Sequence, residues 1–312
     1  MNKEIGLAPM AGYTDRVMRE LAIEWGADFV FSEMISTEGI VRSTGKTGEI
    51  VPVEPCRIQL FGADVKNMVD AAKKLLDVAT WFDINSGCPV RKVVKRGAGS
   101  ALLKIPERIA SMITSLKGVV SVPVSVKIRI GIDKRESDRI IAPILKARPD
   151  AVFIHGRTVI QGYSGRADWQ EIDRLAHLLH AEGISVYGSG DMFTPAAIAN
   201  ALEECAVDGV IVARGAIGNP WIFKQAKDFI RGRSYMELTL DERLNHFMIH
   251  LRRLADTVGE EQAIRDLRKS FAGYTRGIRD SAKLRNEYMK LQSFSEVREF
   301  LRSNSNVSGR IA

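Results

Sequence analysis

The amino-acid sequence predicts a (β/α)8 TIM barrel followed by an all-helical domain, with the change near residue 234. Three observations predict it. Eight short, continuously apolar runs alternate with helix-period segments through the first three-quarters of the chain, as expected of parallel strands covered on both faces. Nearly every run ends in a glycine or a reactive side chain. Beyond residue 234 only helical patterns remain.

Strands are predicted at residues 5–10, 29–34, 57–61, 81–85, 124–130, 151–155, 185–188 and 209–213. Helices are predicted between them, among others at 64–76, 106–116, 138–147, 169–180 and 195–203. Thr194-Pro195 reads as an N-cap with proline at the first helical position, and Asp168 stands three residues before Glu171 with capping-box spacing. Residues 36–54 show no amphipathic period and read as a long loop. The alternative architecture is a doubly wound open sheet. An open sheet would scatter the polar strand ends, whereas a barrel gathers Gly12, Glu33, Gln59, Cys88, Lys127, His155, Asp191 and Arg214 at one mouth. The barrel accounts for more of them.

In the C-terminal part, Thr239 and Glu242 form a capping box that opens a helix to about Val258. Further helices are predicted at 261–274, 282–291 and 295–301, and the polar tail 303–312 is expected to fray. This segment is too small for a strong core of its own, so a bundle packed on the barrel is expected. The division is 1–234 for the barrel and 235–312 for the helices.

Composition narrows the function class. With 45% apolar and 27% charged residues, the chain is neither disordered nor fibrous. The three cysteines have no paired metal-type spacing and are odd in number, so no metal site and no disulfide framework are expected. No signal-peptide pattern and no run long enough to span a bilayer occur, which points to the cytoplasm and away from membranes. The net charge of +7 hints at a polyanionic partner. Its distribution says more: residues 87–106, in which 91–104 read as a loop, hold five basic residues and no acid, and residues 265–290 hold eight basic residues against three acids.

Several strand ends carry chemistry. In Asn85-Ser86-Gly87-Cys88-Pro89, proline favours an extended Cys88 and Gly87 permits a sharp turn, so the thiol can project over the mouth. A free thiol, with a pKa of roughly 8.5, is a proton donor at neutral pH. A small buried hydrophobe is the commoner role for a lone cysteine, and Cys56 and Cys205 are read that way. Lys127 and Arg129 lie two apart on one strand face, and a lysine in an apolar strand needs an anionic partner. That partner is either a bound anion or an acid on a neighbouring strand. Gly188-Ser189-Gly190-Asp191 and Ala213-Arg214-Gly215 form small-residue turns after the seventh and eighth strands, where barrels cradle phosphates.

The sequence resembles the tRNA-dihydrouridine synthase family. The resemblance lies in Ala8-Pro9-Met10-Ala11-Gly12, Ser32-Glu33-Met34, Gln59-Leu60-Phe61-Gly62, Ile84-Asn85-Ser86-Gly87-Cys88-Pro89, Gly97-Ala98-Gly99, Lys127-Ile128-Arg129, His155-Gly156-Arg157, Gly188–Asp191 and the run 213–223. It is looser in the C-terminal part, through Leu267-Arg268-Lys269 and Gly273-Tyr274. The resemblance implies a tightly bound FMN, reduced by NADPH or NADH, and a tRNA substrate whose uridine C5–C6 double bond is reduced. It also implies residue roles. Pro9, Met10 and Ala11 would line the flavin ring, Gln59 and Lys127 its pyrimidine edge, and His155 the ribityl–phosphate region. Ser189, Gly190, Asp191, Ala213 and Arg214 would surround the phosphate, and Cys88 would be the proton donor. Asn85, Arg129 and Arg157 are expected at the base, and Lys92, Arg268 and Lys269 at tRNA phosphates. Ser189 and Ala213 depart from the family's usual asparagine and glycine. A monomer is expected. The alternatives are an FMN barrel acting on a small pyrimidine, like dihydroorotate dehydrogenase, and a non-catalytic RNA-binding protein on the same scaffold.

Overall fold

The computed structural model describes residues 3–42 and 51–305. Eight parallel strands, β1 (Glu4–Leu7), β2 (Phe29–Ser36), β3 (Cys56–Phe61), β4 (Ala79–Asn85), β5 (Val124–Arg129), β6 (Ala151–His155), β7 (Ser185–Ser189) and β8 (Gly209–Val212), close into a barrel in sequence order, with β8 returning to β1. Around them run α1 (Arg16–Glu24), α2 (Thr37–Arg42), α3 (Val65–Lys74), α4 (Arg91–Val94), α5 (Pro106–Lys117), α6 (Ser137–Ala147), α7 (Trp169–His180), α8 (Pro195–Glu204) and α9 (Ile222–Ile230). The Thr194 cap forms, its Oγ1 accepting from the Ala197 N–H at 3.1 Å, but at Asp168 only half the capping box does: its carboxylate accepts from the Glu171 N–H at 2.9 Å, while the Glu171 carboxylate bonds Arg174.

Three local expectations need correcting. The first strand ends at Leu7, short of the expected residue 10, because Pro9 has no N–H to continue the ladder. Residues 36–54 are not loop throughout: Thr37–Arg42 form α2, while residues 43–50 lie outside the described residues. The basic stretch after Cys88 is not a loop either, since it folds into α4 and a 3₁₀ turn at Gly99–Lys104.

The barrel interior explains which end is functional. Phe29, Phe31, Phe153 and Tyr187 pack inside it in edge-on and stacked pairs 4.7–6.2 Å apart. The Arg57 guanidinium lies 4.1 Å from the Phe29 ring and 4.6 Å from Trp81, and the Tyr187 hydroxyl donates to Glu4. These residues stand near the strand starts and fill the barrel interior there. The polar side chains read as site candidates gather at the opposite, C-terminal end.

Four helices follow among the described residues: α10 (Leu240–Val258), capped by the Thr239–Glu242 box, α11 (Glu260–Tyr274), α12 (Ser281–Tyr288) and α13 (Phe294–Ser305). Their core of Phe247, Phe271, Tyr274 and Tyr288 continues into Val17 and Leu21 of α1 and into Trp221. The helices therefore share their apolar interior with the barrel, as the small size of the segment requires. The docking is tight at one point: a Cβ on Gly273 would lie 1.9 Å from the Ile217 carbonyl oxygen. Backbone cannot give way cheaply there. Gly273→Ala is expected to cost about 1–3 kcal/mol through overpacking, read as a lower Tm, and an unchanged Tm would contradict this packing.

Candidate active site

The strand ends enclose a cavity of about 540 Å³. Pro9, Met10, Ala11, Gln59, Lys127, His155, Ser189, Gly190, Asp191, Ala213 and Arg214 all line it, together with Cys88, Asn85 and Arg129. The barrel thus brings together every cofactor-contact candidate read from the sequence.

Cys88 owes its place to Asn85. The Asn85 Oδ1 accepts from the backbone N–H groups of Gly87 at 3.3 Å and Cys88 at 3.0 Å, folding the chain back at the end of β4. The 3₁₀ turn clamps the same point, because the Ser100 N–H donates to the Cys88 carbonyl at 3.0 Å. Gly99 is required there: its φ is +60°, and a Cβ would lie 2.7 Å from the Cys88 oxygen. The thiol is free and half-buried. Burial pushes its pKa up, against the Val90 N–H, Lys127 and Arg129, which favour the thiolate. At neutral pH the group is a thiol with a proton to give.

Lys127 reaches the cavity from β5, and no hydrogen-bond acceptor among the described residues meets its ammonium. Burial, then the neighbouring Arg129, pushes it down to about 8, while Asp83 and Cys88 act the other way. The cavity opens above Lys127, which is half-buried. Arg129 is spent on scaffold: its Nε donates to the Gly87 carbonyl at 3.0 Å, and its Nη1 to Thr158 and Gly162 carbonyls at 2.9 and 3.1 Å. It ties the Cys88 turn to the loop after β6. His155 lies among Lys127, Arg129, Arg157 and Arg214; burial and then those cations hold its pKa well below the usual histidine range, so it is neutral.

Arg157 must be corrected. Expected to face a base, it is 1% exposed and does not line the cavity. Its Nη2 donates to both Asp191 oxygens at 2.7 and 2.8 Å and to the Gly165 carbonyl, and its Nε to the Ser164 carbonyl. These bonds order the loops after β6 and β7, while Nη1, also buried, meets no partner among the described residues. The same bonds neutralise the Asp191 carboxylate, which also accepts from the Ala167 N–H at 2.8 Å. Asp191 (φ +60°) and Gly190 (φ +133°) turn the chain sharply after β7. Ala213 is outside the left-handed region, so alanine replaces glycine there without strain.

Arg214 lies between two aromatic rings that the sequence reading missed, 4.2 Å from Tyr163 and 5.0 Å from Phe193. Neither ring belongs to a periodic segment, and large aromatic rings in polar loops were the available signal. Of the phosphate candidates, Lys92 is exposed on α4 beside Arg91, Lys95 and Arg96. Lys269 comes from α11 to the edge of the mouth, 5.2 Å from the Tyr13 ring and close over Gly12, whose φ of +75° favours glycine. Arg268 is half-buried and donates to the Leu291 carbonyl at 3.1 Å, so it serves the helical packing first.

Comparison with known proteins decides the family. The sequence model for dihydrouridine synthase matches residues 6–308. The chain belongs to the dihydrouridine synthase family. It is therefore an oxidoreductase. The chain is 34% identical to a probable tRNA-dihydrouridine synthase of Treponema pallidum, over 95% of this chain and 91% of that protein. It is 32% identical to tRNA-dihydrouridine synthase B of Pseudomonas aeruginosa, over 96% and 93%. Solved structures share the fold at low identity. Histamine dehydrogenase from Rhizobium sp. 4-9 superposes with a TM-score of 0.52 at 14% identity, over 73% of this chain and 46% of that one. Dihydroorotate dehydrogenase from Eimeria tenella superposes with a TM-score of 0.51 at 13% identity, over 73% and 80%. No helix among the described residues is long and apolar enough to cross a membrane.

Proposed function

We propose that this enzyme reduces a uridine of tRNA to dihydrouridine, with FMN held in the barrel mouth and NADPH or NADH as the reductant. The observation that carries the reading is one cavity holding an unpartnered lysine ammonium, two small-residue turns with an arginine, and a protonated thiol. This donor set fits a flavin mononucleotide. Gly190, Ser189, Ala213 and Arg214 would take the phosphate with backbone N–H groups and a guanidinium, while Asp191 offers its backbone and keeps its carboxylate on Arg157. Lys127 and Gln59 would meet the electron-rich pyrimidine edge, Pro9, Met10 and Ala11 the ring, and neutral His155 the chain between ring and phosphate.

Bound there, the flavin supplies hydride. Cys88 supplies the proton for C5 of the uracil, and the thiolate left behind is stabilised by Lys127 and Arg129. Asn85, which lines the same cavity, would face the base while its Oδ1 holds the Cys88 turn. A uridine within folded tRNA must leave its stack to enter a barrel mouth, so base flipping is part of the reading. We assign residues 235–312 to tRNA binding, because Lys269 brings that unit to the edge of the mouth, while α4, whose N-cap Val90 lines the same cavity, exposes Arg91, Lys92, Lys95 and Arg96. A small-pyrimidine oxidoreductase would have no use for this basic rim. We place the enzyme in the cytoplasm, acting as a monomer.

Dihydrouridine mapping in tRNA from cells lacking the gene should show a defined position reverting to uridine; an unchanged map would overturn the reading. Binding should also weaken steeply with salt, and Arg91, Lys92 and Lys95 together changed to Gln should reduce the log–log salt slope by about three. A slope unchanged in the triple variant would remove this rim from the tRNA interface.

A further inference from the structure

Strand register sets Gln59 beside Asp83, and Asp83 beside Ser125, across β3, β4 and β5. The three side chains form a hydrogen-bonded line beneath the cavity. The Gln59 Nε2 donates to Asp83 Oδ2 at 2.7 Å, and the Ser125 hydroxyl donates to Asp83 Oδ1 at 2.6 Å. Trp81 Nε1 in turn donates to the Ser125 oxygen at 2.8 Å. On the other side the Asn85 Nδ2 donates to Gln59 Oε1 at 2.8 Å, and Asn85 Oδ1 accepts from the Gly87 and Cys88 N–H groups. Asp83 is 1% exposed and does not line the cavity.

Two amides in series can each be turned end for end at almost no change in shape. Only the ends of the line decide between the orientations. One end is the backbone N–H pair of Gly87 and Cys88, which can only donate. The other end is the Asp83 carboxylate, which as an anion can only accept. Burial raises Asp83 to about 6, against the bonds from Ser125 and Gln59 and the charge of Lys127, so it is ionised at neutral pH. With both ends set, Gln59 must turn its NH2 to Asp83 and its carbonyl to Asn85, and Asn85 must turn its carbonyl to the Cys88 turn.

We propose that Asp83 is a positioning residue whose buried carboxylate sets the orientation of Gln59 and, through it, of Asn85, so that the flavin-facing amide and the Cys88 turn are held by one line of bonds. The proposal rests on the flavin and Cys88 roles given above. A carbonyl-to-NH2 exchange at Asp83 shows why the charge matters. In Asp83→Asn, the Ser125 proton still needs an acceptor, because among the described residues that hydroxyl donates to Asp83 alone. The new amide therefore turns its oxygen to Ser125 and its NH2 to Gln59. Gln59 must then reverse, its NH2 opposes that of Asn85, and Asn85 in turn presents NH2 to the Cys88 N–H. The turn is released.

The test compares D83N with S125A, which removes the donor on the far side but leaves the carboxylate facing Gln59. FMN affinity is read by quenching of flavin fluorescence, and Cys88 access by mass-resolved alkylation of the apoprotein with iodoacetamide. D83N is expected to weaken FMN binding about 10-fold, the size of one charge-assisted hydrogen bond, and to speed Cys88 alkylation several-fold. S125A is expected to leave both within about twofold, even where its Tm falls. The proposal is overturned if D83N leaves both readouts at the wild-type level, or if both variants change them in proportion to lost stability. Wild-type protein that binds no FMN would sink the flavin reading instead, and the alkylation contrast would still test the line from Asp83 to Cys88.

Discussion

Cys88→Ala should abolish dihydrouridine formation, with kcat falling about 10²–10⁴-fold, the range for losing a positioned general acid. Flavin content and tRNA affinity should stay near wild type. The separation follows from the geometry: the turn is held by Asn85 Oδ1 and Ser100 through backbone groups, none of which the substitution removes. Alanine keeps Cβ and removes only the sulfur, so the backbone of the turn stays in place. Only the proton source is lost. A C88A enzyme with unchanged turnover on tRNA would show that C5 takes its proton from elsewhere.

Lys127→Met should weaken FMN binding about 10–100-fold, the scale of one hydrogen bond to a charged group or somewhat more. The same substitution should stabilise the apoprotein at pH 7. Burial holds the ammonium at about 8 in the fold, below its value of 10.5 in the open chain. A cation with a depressed pKa opposes folding wherever it is charged, so stability contributed by this group rises as pH climbs from about 8 to 10.5. K127M should flatten that rise. Thermal melts of apoprotein from pH 7 to 10 check the sign; a variant less stable than wild type at pH 7 would mean that Lys127 has a structural anionic partner.

Much of the fold was legible because buried parallel strands are written as unbroken apolar runs, and because polar residues at their ends have no place in such runs without a site. Gln59, Lys127, His155 and Arg214 were found that way, and the cavity holds them all. Arg157 misled because a basic residue at a strand end reads the same whether it meets a ligand or a loop. Its partner Asp191 lies 34 positions later, and pairing across strands is invisible along the chain. The basic stretch after Cys88 concealed α4 and the 3₁₀ turn because elements that short carry no measurable period. Asp83 was visible as an acid within an apolar strand, but its role needs the register that sets Gln59 and Ser125 on either side.

The central claim is that one mouth presents a reduced flavin and a thiol proton to the same uracil. Anaerobic stopped-flow tests it most directly: protein reconstituted with FMN and reduced is mixed with tRNA lacking dihydrouridine, and flavin absorbance is followed. Reoxidation by tRNA in step with dihydrouridine formed is the predicted result. Flavin that stays reduced with tRNA present, or protein that takes up no FMN, would contradict it.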